Sequence, residues 1–552
     1  MKKMLITLLI AWIVLWPVLA CRPARVGKIP TKLPTRTEPT ALQPTSPPMQ
    51  PSPIATPTSI PVTPTQPVGP LQYPFEKKNM FFGLTMIKRP QDKAFARELG
   101  ISWVSLQPYI FWFVLEAEPG VYTWAPVDAE VKMLQEIGID MTMALQPANV
   151  FGESRAQLAE TIEQQAETDS YDDLAGSVIA FMRDSDESKQ WTLYPHDETL
   201  PMWIRFIRAA VDRYDGDGKN DMPGLKYPVR NWHFVEEFPM VEWDSSETYV
   251  EVLKPTYEAI KGEDPHALVI IPGLAGNYAR YFAFADGFIQ DPDAGVWKEV
   301  KYTREALASS PLLRREKEAY EYILREGRDY FDVVDIHLYE EKDTFVEGKL
   351  DWLKHKMQEY GYQKPIWCIE GGGPLKDPPG KPTRHGDPYF GEWSAKENAE
   401  FVVKLHVMSA ARGVERYHWG LSGTSDTGYW NGPWTVMALM TYDRVKKPAY
   451  YTFQLMMQKL KDFESVKDIS FGNTRLFEFV VGSKKVYVAW SSDNTSQVYD
   501  LSSELGKTQI DVTSIVIELQ PNGNPVEPKQ QQLSSTVVLL SITPVFIETP
   551  GH

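Results

Sequence analysis

The sequence predicts an α/β protein, a (β/α)8 TIM barrel followed by a small C-terminal all-β sandwich, on three observations. Strand-like and helix-like runs alternate eight times between residues 73 and 464, and such alternation builds a parallel sheet. No glycine-rich dinucleotide or phosphate loop follows the first strand, which removes the main open-sheet alternative. From residue 465 the pattern changes to period two, the mark of half-buried antiparallel strands.

The barrel strands are expected at 80–86, 102–108, 140–147, 231–237, 268–274, 332–339, 365–370 and 414–421. Between them, helical periodicity marks 91–99, 127–137, 201–214, 247–262, 316–326, 350–360, 395–412 and a last helix after Lys447. Eight such units over this length fit a closed barrel with insertions better than an open sheet. Two segments, 151–199 and 278–312, fall outside the repeat. Both follow strand ends and are expected to decorate the rim of the active-site face. The acidic stretch 156–173 reads as a solvated helix face. The sandwich strands are expected at 474–481, 484–490, 497–501, 512–519 and 535–548. That domain's expected role is to pack against the barrel, since it shows no aromatic cluster of the kind that binds sugars.

Ahead of the folded part, Met1-Lys2-Lys3 precedes an apolar run that ends Val18-Leu19-Ala20-Cys21. The run is short for a spanning helix and reads as a secretion signal. Small Ala20 before Cys21 resembles the cleavage box of a bacterial lipoprotein, with Cys21 lipidated; Leu19 departs from that box, so an uncleaved N-terminal anchor stays open. Either way the protein is expected outside the cytoplasm, on the cell surface. Residues 22–72, dominated by proline and threonine and without apolar periodicity, cannot bury a core and read as a semi-extended spacer. The expected divisions are therefore signal 1–21, linker 22–72, barrel 73–464 and sandwich 465–552.

A formal charge of −16 excludes the basic patch that nucleic acid demands and disfavours electrostatic docking on anionic lipid. The membrane partner is thus the lipid anchor alone. With two cysteines in the chain, lipidation of Cys21 leaves Cys368 unpaired and rules out a disulfide framework. No cofactor is called for. Asp215-Gly216-Asp217-Gly218-Lys219-Asn220-Asp221 has the aspartate spacing of a calcium loop, but Lys226 stands where such a loop needs a bidentate glutamate. A plain turn is expected there, and no His-x-His or cysteine pair argues for another metal.

The runs Asn231 to Pro239 and Lys364 to Pro374 each carry a carboxylate, Glu237 and Glu370, followed closely by chain-breaking residues. At the C-terminal ends of barrel strands, acids point toward substrate. Paired carboxylates there point to glycoside hydrolysis on an oligo- or polysaccharide.

Three segments carry a family resemblance. Trp112-Phe113-Val114-Leu115-Glu116-Ala117-Glu118-Pro119-Gly120-Val121-Tyr122-Thr123-Trp124 resembles the second-strand segment of clan A glycoside hydrolases, Trp232 to Phe238 their fourth-strand pattern, and Ile366 to Gly371 their seventh-strand segment. The similarity spans about residues 81–460 and is closest in flavour to families 39, 42 and 5. It implies a retaining enzyme with Glu237 as acid/base and Glu370 as nucleophile. It also implies His337 near the nucleophile, holding substrate or tuning the nucleophile, with a satisfied structural histidine the equal alternative; Tyr339 ends the same strand. Trp419, at the end of strand eight, is expected to form an aromatic floor by stacking on the sugar, and Trp112 either lines the site or packs at the rim. His418 is then expected to point outward by strand alternation. The chain departs from the family where Glu236 replaces the usual asparagine, which contacts the sugar 2-hydroxyl, and where Phe238 replaces proline. Ser105 and Gln107 occupy the stretch where the clan tends to carry an arginine. These departures keep a second reading in view, a catalytically inactive cell-surface barrel that binds carbohydrate.

Overall fold

A computed structural model describes residues 69–147, 194–238, 245–373, 395–421 and 437–549, except 86, 88, 196–197, 236, 275, 298–299, 341, 442, 494–495 and 506–508. The expected signal, Cys21, nearly all of the linker and the acidic stretch 156–173 lie outside the described residues. Among the described residues no helix is long and apolar enough to cross a membrane.

All eight strands fall inside the expected runs: β1 Phe82–Thr85, β2 Trp103–Val104, β3 Asp140–Gln146, β4 Asn231–Phe234, β5 Leu268–Leu274, β6 Val333–Ile336, β7 Ile366–Cys368 and β8 Val414–Gly420. Each pairs in parallel with the next, and β8 pairs with β1, so the barrel closes in chain order. The helices that follow them are α1 Asp92–Leu99, α2 Ala125–Ile137, α3 Leu200–Tyr214, α4 Ser246–Glu263, α5 Pro311–Glu326, α6 Asp343–Glu359, α7 Ala395–Ala411 and α8 Pro448–Leu460. Local chemistry sets their ends. Ser245 and Ser310 cap α4 and α5 by accepting the N–H groups of Thr248 and Leu313. Gly138 ends α2 in the left-handed conformation that glycine adopts without strain. Arg444, in the loop after β8, grips both carboxylate oxygens of Asp92 and ties the last unit to the first.

The floor of the barrel is a polar plug inside an aromatic clamp. Asp140 Oδ2 accepts from Tyr73, Asn231 and Arg416 at 2.6, 2.9 and 2.8 Å. The Arg416 guanidinium lies 5.6 and 4.0 Å from the ring centres of Trp103 and Trp367. An interior ion pair survives desolvation only when its remaining hydrogen-bonding capacity is satisfied, and these partners supply that. The Trp103 indole occupies the place of a side chain at Gly83, where a Cβ would come within 2.3 Å of it.

The insertion after β5 begins with a helix, Gly276–Ala285, at the strand end. It passes along the outer helices, where Asp286 accepts from Trp352 of α6 and pairs with Lys317 of α5. It then returns to the rim expected for 278–312, where Asp291 and Asp293 pair with Lys342 just beyond the end of β6.

C-terminal antiparallel strands follow: β9 Ser465–Asp468, β10 Thr474–Val481, β11 Lys484–Ser491, β12 Gln497–Asp500, β13 Ile510–Ser514, β14 Gln530–Leu533, β15 Val537–Leu540 and β16 Val545–Glu548. Six form one sheet in the order β9-β10-β11-β16-β13-β14, and β12 pairs with β15. The run expected as one strand over 535–548 is two, broken ahead of Pro544, which has no N–H to give a ladder. The run 512–519 is a strand only to Ser514. Leu476, Tyr487, Leu501, Ile510, Val538, Leu540 and Ile547 form the core of this part. Polar contacts join it to the barrel: Arg475 pairs with Asp343 and Glu347 of α6, and Thr452 of α8 donates to the Val516 carbonyl.

Candidate active site

Strands β4, β6 and β7 each break near their C-terminal ends and then resume pairing. Beyond β4, Glu237–Phe238 pairs with the end of β5, with Glu237 opposite Gly273. Beyond β6 and β7, Leu338–Tyr339 pairs with Gly371–Gly372. Such interruptions re-aim side chains at barrel rims. At β7 the effect is visible: Trp367 and Ile369 belong to the interior cluster, so unbroken alternation would turn Glu370 outward, yet it faces the barrel mouth. At β4, Val235 takes φ = +65°, a strained value for a β-branched residue and a common companion of functional sites.

These breaks gather a cluster around His337. Its Nδ1 lies 3.1 Å from Glu237 Oε1 and 3.2 Å from Glu370 Oε2. One carboxylate oxygen of Glu237 and one of Glu370 lie within 4.8 Å of each other and of the ring. The Tyr339 hydroxyl donates to Glu370 Oε2 at 2.9 Å. On the other side of the ring, Nε2 meets Asp335 Oδ2 at 3.1 Å, and Asp335 Oδ1 accepts the Ile369 N–H at 2.9 Å. Lys349 of α6 braces the same segment, donating to the His337 carbonyl at 2.7 Å and to Glu340 Oε1 at 2.5 Å.

The electrostatics follow from burial and neighbours. Burial opposes a charged His337 ring, but Glu370, Asp335 and the Glu237 hydrogen bond outweigh it, and its pKa rises well above the usual histidine value. Burial likewise works against ionised Asp335, yet His337 and His233 hold its pKa at about 2. Burial first, then the Glu370 charge, pushes the Tyr339 hydroxyl well above its ordinary range, so it stays a hydrogen-bond donor. The site thus contains two acids of accessible geometry, one buried ring held between carboxylates, and one permanent donor on Glu370.

The structure brings Glu237, Glu370, His337 and Tyr339 together and leaves the expected aromatic residues out. His337 and Tyr339 are buried, with His337 Nδ1 beside both glutamates and the Tyr339 hydroxyl on Glu370. Trp112 is 0 % exposed. Its indole N–H donates to Glu116 at 2.5 Å, and its ring packs on Trp203 and Phe206. It therefore stabilises the turn after β2 and does not line the site. Trp419 is also fully buried, stacked on His406 of α7 and donating to the Met437 carbonyl at 2.6 Å. The parity expected for β8 is reversed: Arg416 and His418 point into the barrel, while Tyr417 and Trp419 face the helices. His418 meets Ser105 there at 2.5 Å, and burial lowers its pKa to about 3, keeping it neutral. Glu236 lies outside the described residues.

Sequence reasoning missed Asp335 and Gly273. Asp335 was legible, because residues two apart on a strand share a face and Asp335 must point with His337. Gly273 leaves room for that pair: a Cβ there would lie 2.2 Å from His337 Nε2 and 2.3 Å from Asp335 Oδ2. Gly273→Ala is therefore expected to destabilise the protein by about 1–3 kcal/mol, as overpacking does. Thermal unfolding checks this, and a midpoint equal to wild type would refute it.

The aspartate-rich loop after α3 uses its acids on its own backbone. Asp221 accepts the Gly216 and Gly218 N–H groups, and Asp217 accepts from Lys219 N and Nζ. Asp212, Asp215 and Asp217 still bring carboxylate oxygens within 4.8 Å, the described residues outside the barrel mouth that would best suit a cation. Burial, with these neighbouring acids, raises Asp215 to about 7.

No family model and no curated protein sequence matches the chain. Solved structures do. A family 39 glycoside hydrolase from the gut symbiont Bacteroides cellulosilyticus is similar over 86% of this chain and 81% of its own, with 14% identity and a TM-score of 0.54. A glucosidase from Croceicoccus marinus aligns over 88% and 98%, with 11% identity and a TM-score of 0.49. A monomeric β-xylosidase from Caulobacter crescentus aligns over 87% and 97%, with 15% identity and a TM-score of 0.45. The first likeness shows a shared fold, the TIM barrel seen in clan A glycoside hydrolases.

Proposed function

We propose that the protein is a retaining glycoside hydrolase in which Glu237 is the acid/base and Glu370 the nucleophile. The observation that carries this is the approach of the two carboxylates to within 4.8 Å at the mouth of the barrel. Retaining enzymes hold their carboxyls roughly 5–5.5 Å apart, whereas inverting enzymes leave about 6.5–9.5 Å for a water. The fold likeness to a family 39 enzyme supports the same reading.

The chemistry then runs in two displacements. Glu370, oriented by Tyr339 and His337, attacks the anomeric carbon while Glu237 protonates the departing oxygen. Glu237, now ionised, takes a proton from water, which attacks the glycosyl-enzyme and restores Glu370. Export and lipid anchoring at Cys21 belong to the same proposal, because an apolar segment and a small-residue box precede a cysteine and a long spacer.

One experiment addresses both. The full chain, produced in a bacterial host, is assayed on a panel of aryl glycosides and polysaccharides after separating membranes from soluble material. The expected result is cleavage of at least one glycoside by the membrane fraction, with labelled palmitate carried by the wild-type chain and not by Cys21→Ser. Glycan binding without turnover on any member of the panel would sink the hydrolase reading in favour of a binding protein. A wild-type chain that takes up no palmitate would sink the lipid anchor.

A further inference from the structure

The middle of the barrel holds a second layer of chemistry beneath the paired glutamates. Asp335 stands between two buried imidazoles, with Oδ2 3.1 Å from His337 Nε2 and 3.4 Å from His233 Nε2. Its other oxygen is taken by the Ile369 N–H. Gly273 leaves no side chain between the acid and the His337 ring. A carboxylate facing a ring nitrogen at hydrogen-bond distance selects the tautomer that carries hydrogen on that nitrogen. His337 Nε2–H is therefore committed to Asp335, and only Nδ1 is left to change state. That atom sits between Glu237 and Glu370.

We propose that Asp335 is a positioning residue: by fixing the hydrogen on His337 Nε2, it makes Nδ1 the atom that exchanges the catalytic proton with Glu237. The proposal rests on the hydrolase reading of the paired glutamates. In the exchange the Nδ1–H bond breaks and an O–H bond forms on Glu237 Oε1. The imidazolium becomes neutral imidazole and the carboxylate becomes the neutral acid, so the charge of the cluster is unchanged. Glu370 stays ionised throughout, as a nucleophile must. Neutral Nδ1 then accepts the hydrogen of protonated Glu237, and charged Nδ1–H donates to either glutamate. The ring thus stores the proton that Glu237 delivers to the leaving oxygen.

The groups facing His337 set this balance. Among the described residues they are Asp335, Glu237 and Glu370, with His418 from β8 within electrostatic reach; His233 of β4 acts through Asp335, and Tyr339 through Glu370. Lys349 donates to the backbone carbonyl of His337 and to Glu340. The negative groups outnumber the cations close to the ring, which favours the protonated form until one of them is removed.

The test uses the full chain labelled with nitrogen-15 histidine. There are nine histidines, and the His337 signal is the one lost in His337→Gln. In wild type the expected result is a ring protonated at Nε2 at every pH, titrating at Nδ1 above the ordinary value of about 6.5. In Asp335→Asn the amide can donate to Nε2 and select the opposite tautomer. The titration should then fall by at least about one pH unit. On any glycoside the protein cleaves, the alkaline limb of kcat/KM should move down with it, with kcat reduced roughly 10–100-fold. A role in packing alone would lower the unfolding temperature and kcat while moving neither titration, and that result would overturn the proposal. So would a wild-type ring protonated on Nδ1 and bare on Nε2, a measurement that decides the matter even if Asp335→Asn does not fold. The expected wild-type and variant titrations, found together with no turnover on any glycoside, would support the tautomer assignment and remove the hydrolase reading, so the two failures are distinguishable.

Discussion

Replacing Glu370 by glutamine is expected to lower kcat on a cleaved glycoside by on the order of 10⁵-fold, the largest effect of any single substitution in this protein. The amide has nearly the shape of the carboxylate and can still accept from the Tyr339 hydroxyl, which lies 2.9 Å from Oε2. What it lacks is the negative charge that, in the proposed mechanism, attacks the anomeric carbon. The loss should therefore appear in the chemical step and not in folding. Glutamine relieves repulsion with Glu237 and Asp335 but also removes the charge that most favours the protonated His337 ring, so that ring should titrate lower in Glu370→Gln. Two measurements check this: kcat on an activated aryl glycoside, and mass-spectrometric mapping of a slow-turnover fluorosugar, which should label Glu370 in wild type and nothing in Glu370→Gln. Activity within tenfold of wild type, or label found on another residue, would refute the assignment.

The barrel was legible because its signal is repeated. Each strand is a short apolar run bounded by turn residues, each helix has a 3.6-residue stripe, and eight repetitions override an ambiguity in any one. The two catalytic candidates were legible for a related reason, since acids followed by chain breakers at strand ends have few structural uses. Side-chain direction was less legible. A parallel barrel buries both faces of every strand, so alternation along Tyr417-His418-Trp419 gives the period without the sign. Trp419 packs under α7 as comfortably as it would fill a sugar subsite. Arg416 held the missing information, because an arginine facing the helix layer would need a partner there, whereas Asp140 waits inside the barrel at 2.8 Å. At β7 even a correct sign would have failed, because the break after Cys368 turns Glu370 against the count. Of the two readings open for Trp112, packing at the rim is the one its neighbourhood in sequence favours: Glu116, four residues on, lies one helical turn away and takes the indole N–H. A buried acid that close to a tryptophan ties it into the scaffold before any ligand can claim it.

Glutamine at position 237 should produce a different signature from glutamine at 370, and the difference tests the roles apart. In its proposed role as general acid, Glu237 would matter in proportion to how poorly the leaving group departs unaided. Glu237→Gln is therefore expected to slow cleavage of a sugar or alkyl leaving group by about 10²–10⁴-fold, while an activated dinitrophenyl glycoside should form the glycosyl-enzyme nearly as fast as in wild type. The second displacement also needs Glu237, as base, so the intermediate should accumulate and appear as a burst. Azide, a nucleophile that requires no base, should relieve that block and give a glycosyl azide of retained configuration. In Glu370→Ala the same anion would attack the opposite face and give inversion. Retention in one variant and inversion in the other follows from two carboxylates within 4.8 Å acting on opposite sides of one anomeric carbon. A loss in Glu237→Gln that is uniform across leaving groups, with no burst and no azide rescue, would mean that the carboxylate only shapes the site, and the acid would have to be sought on another strand end.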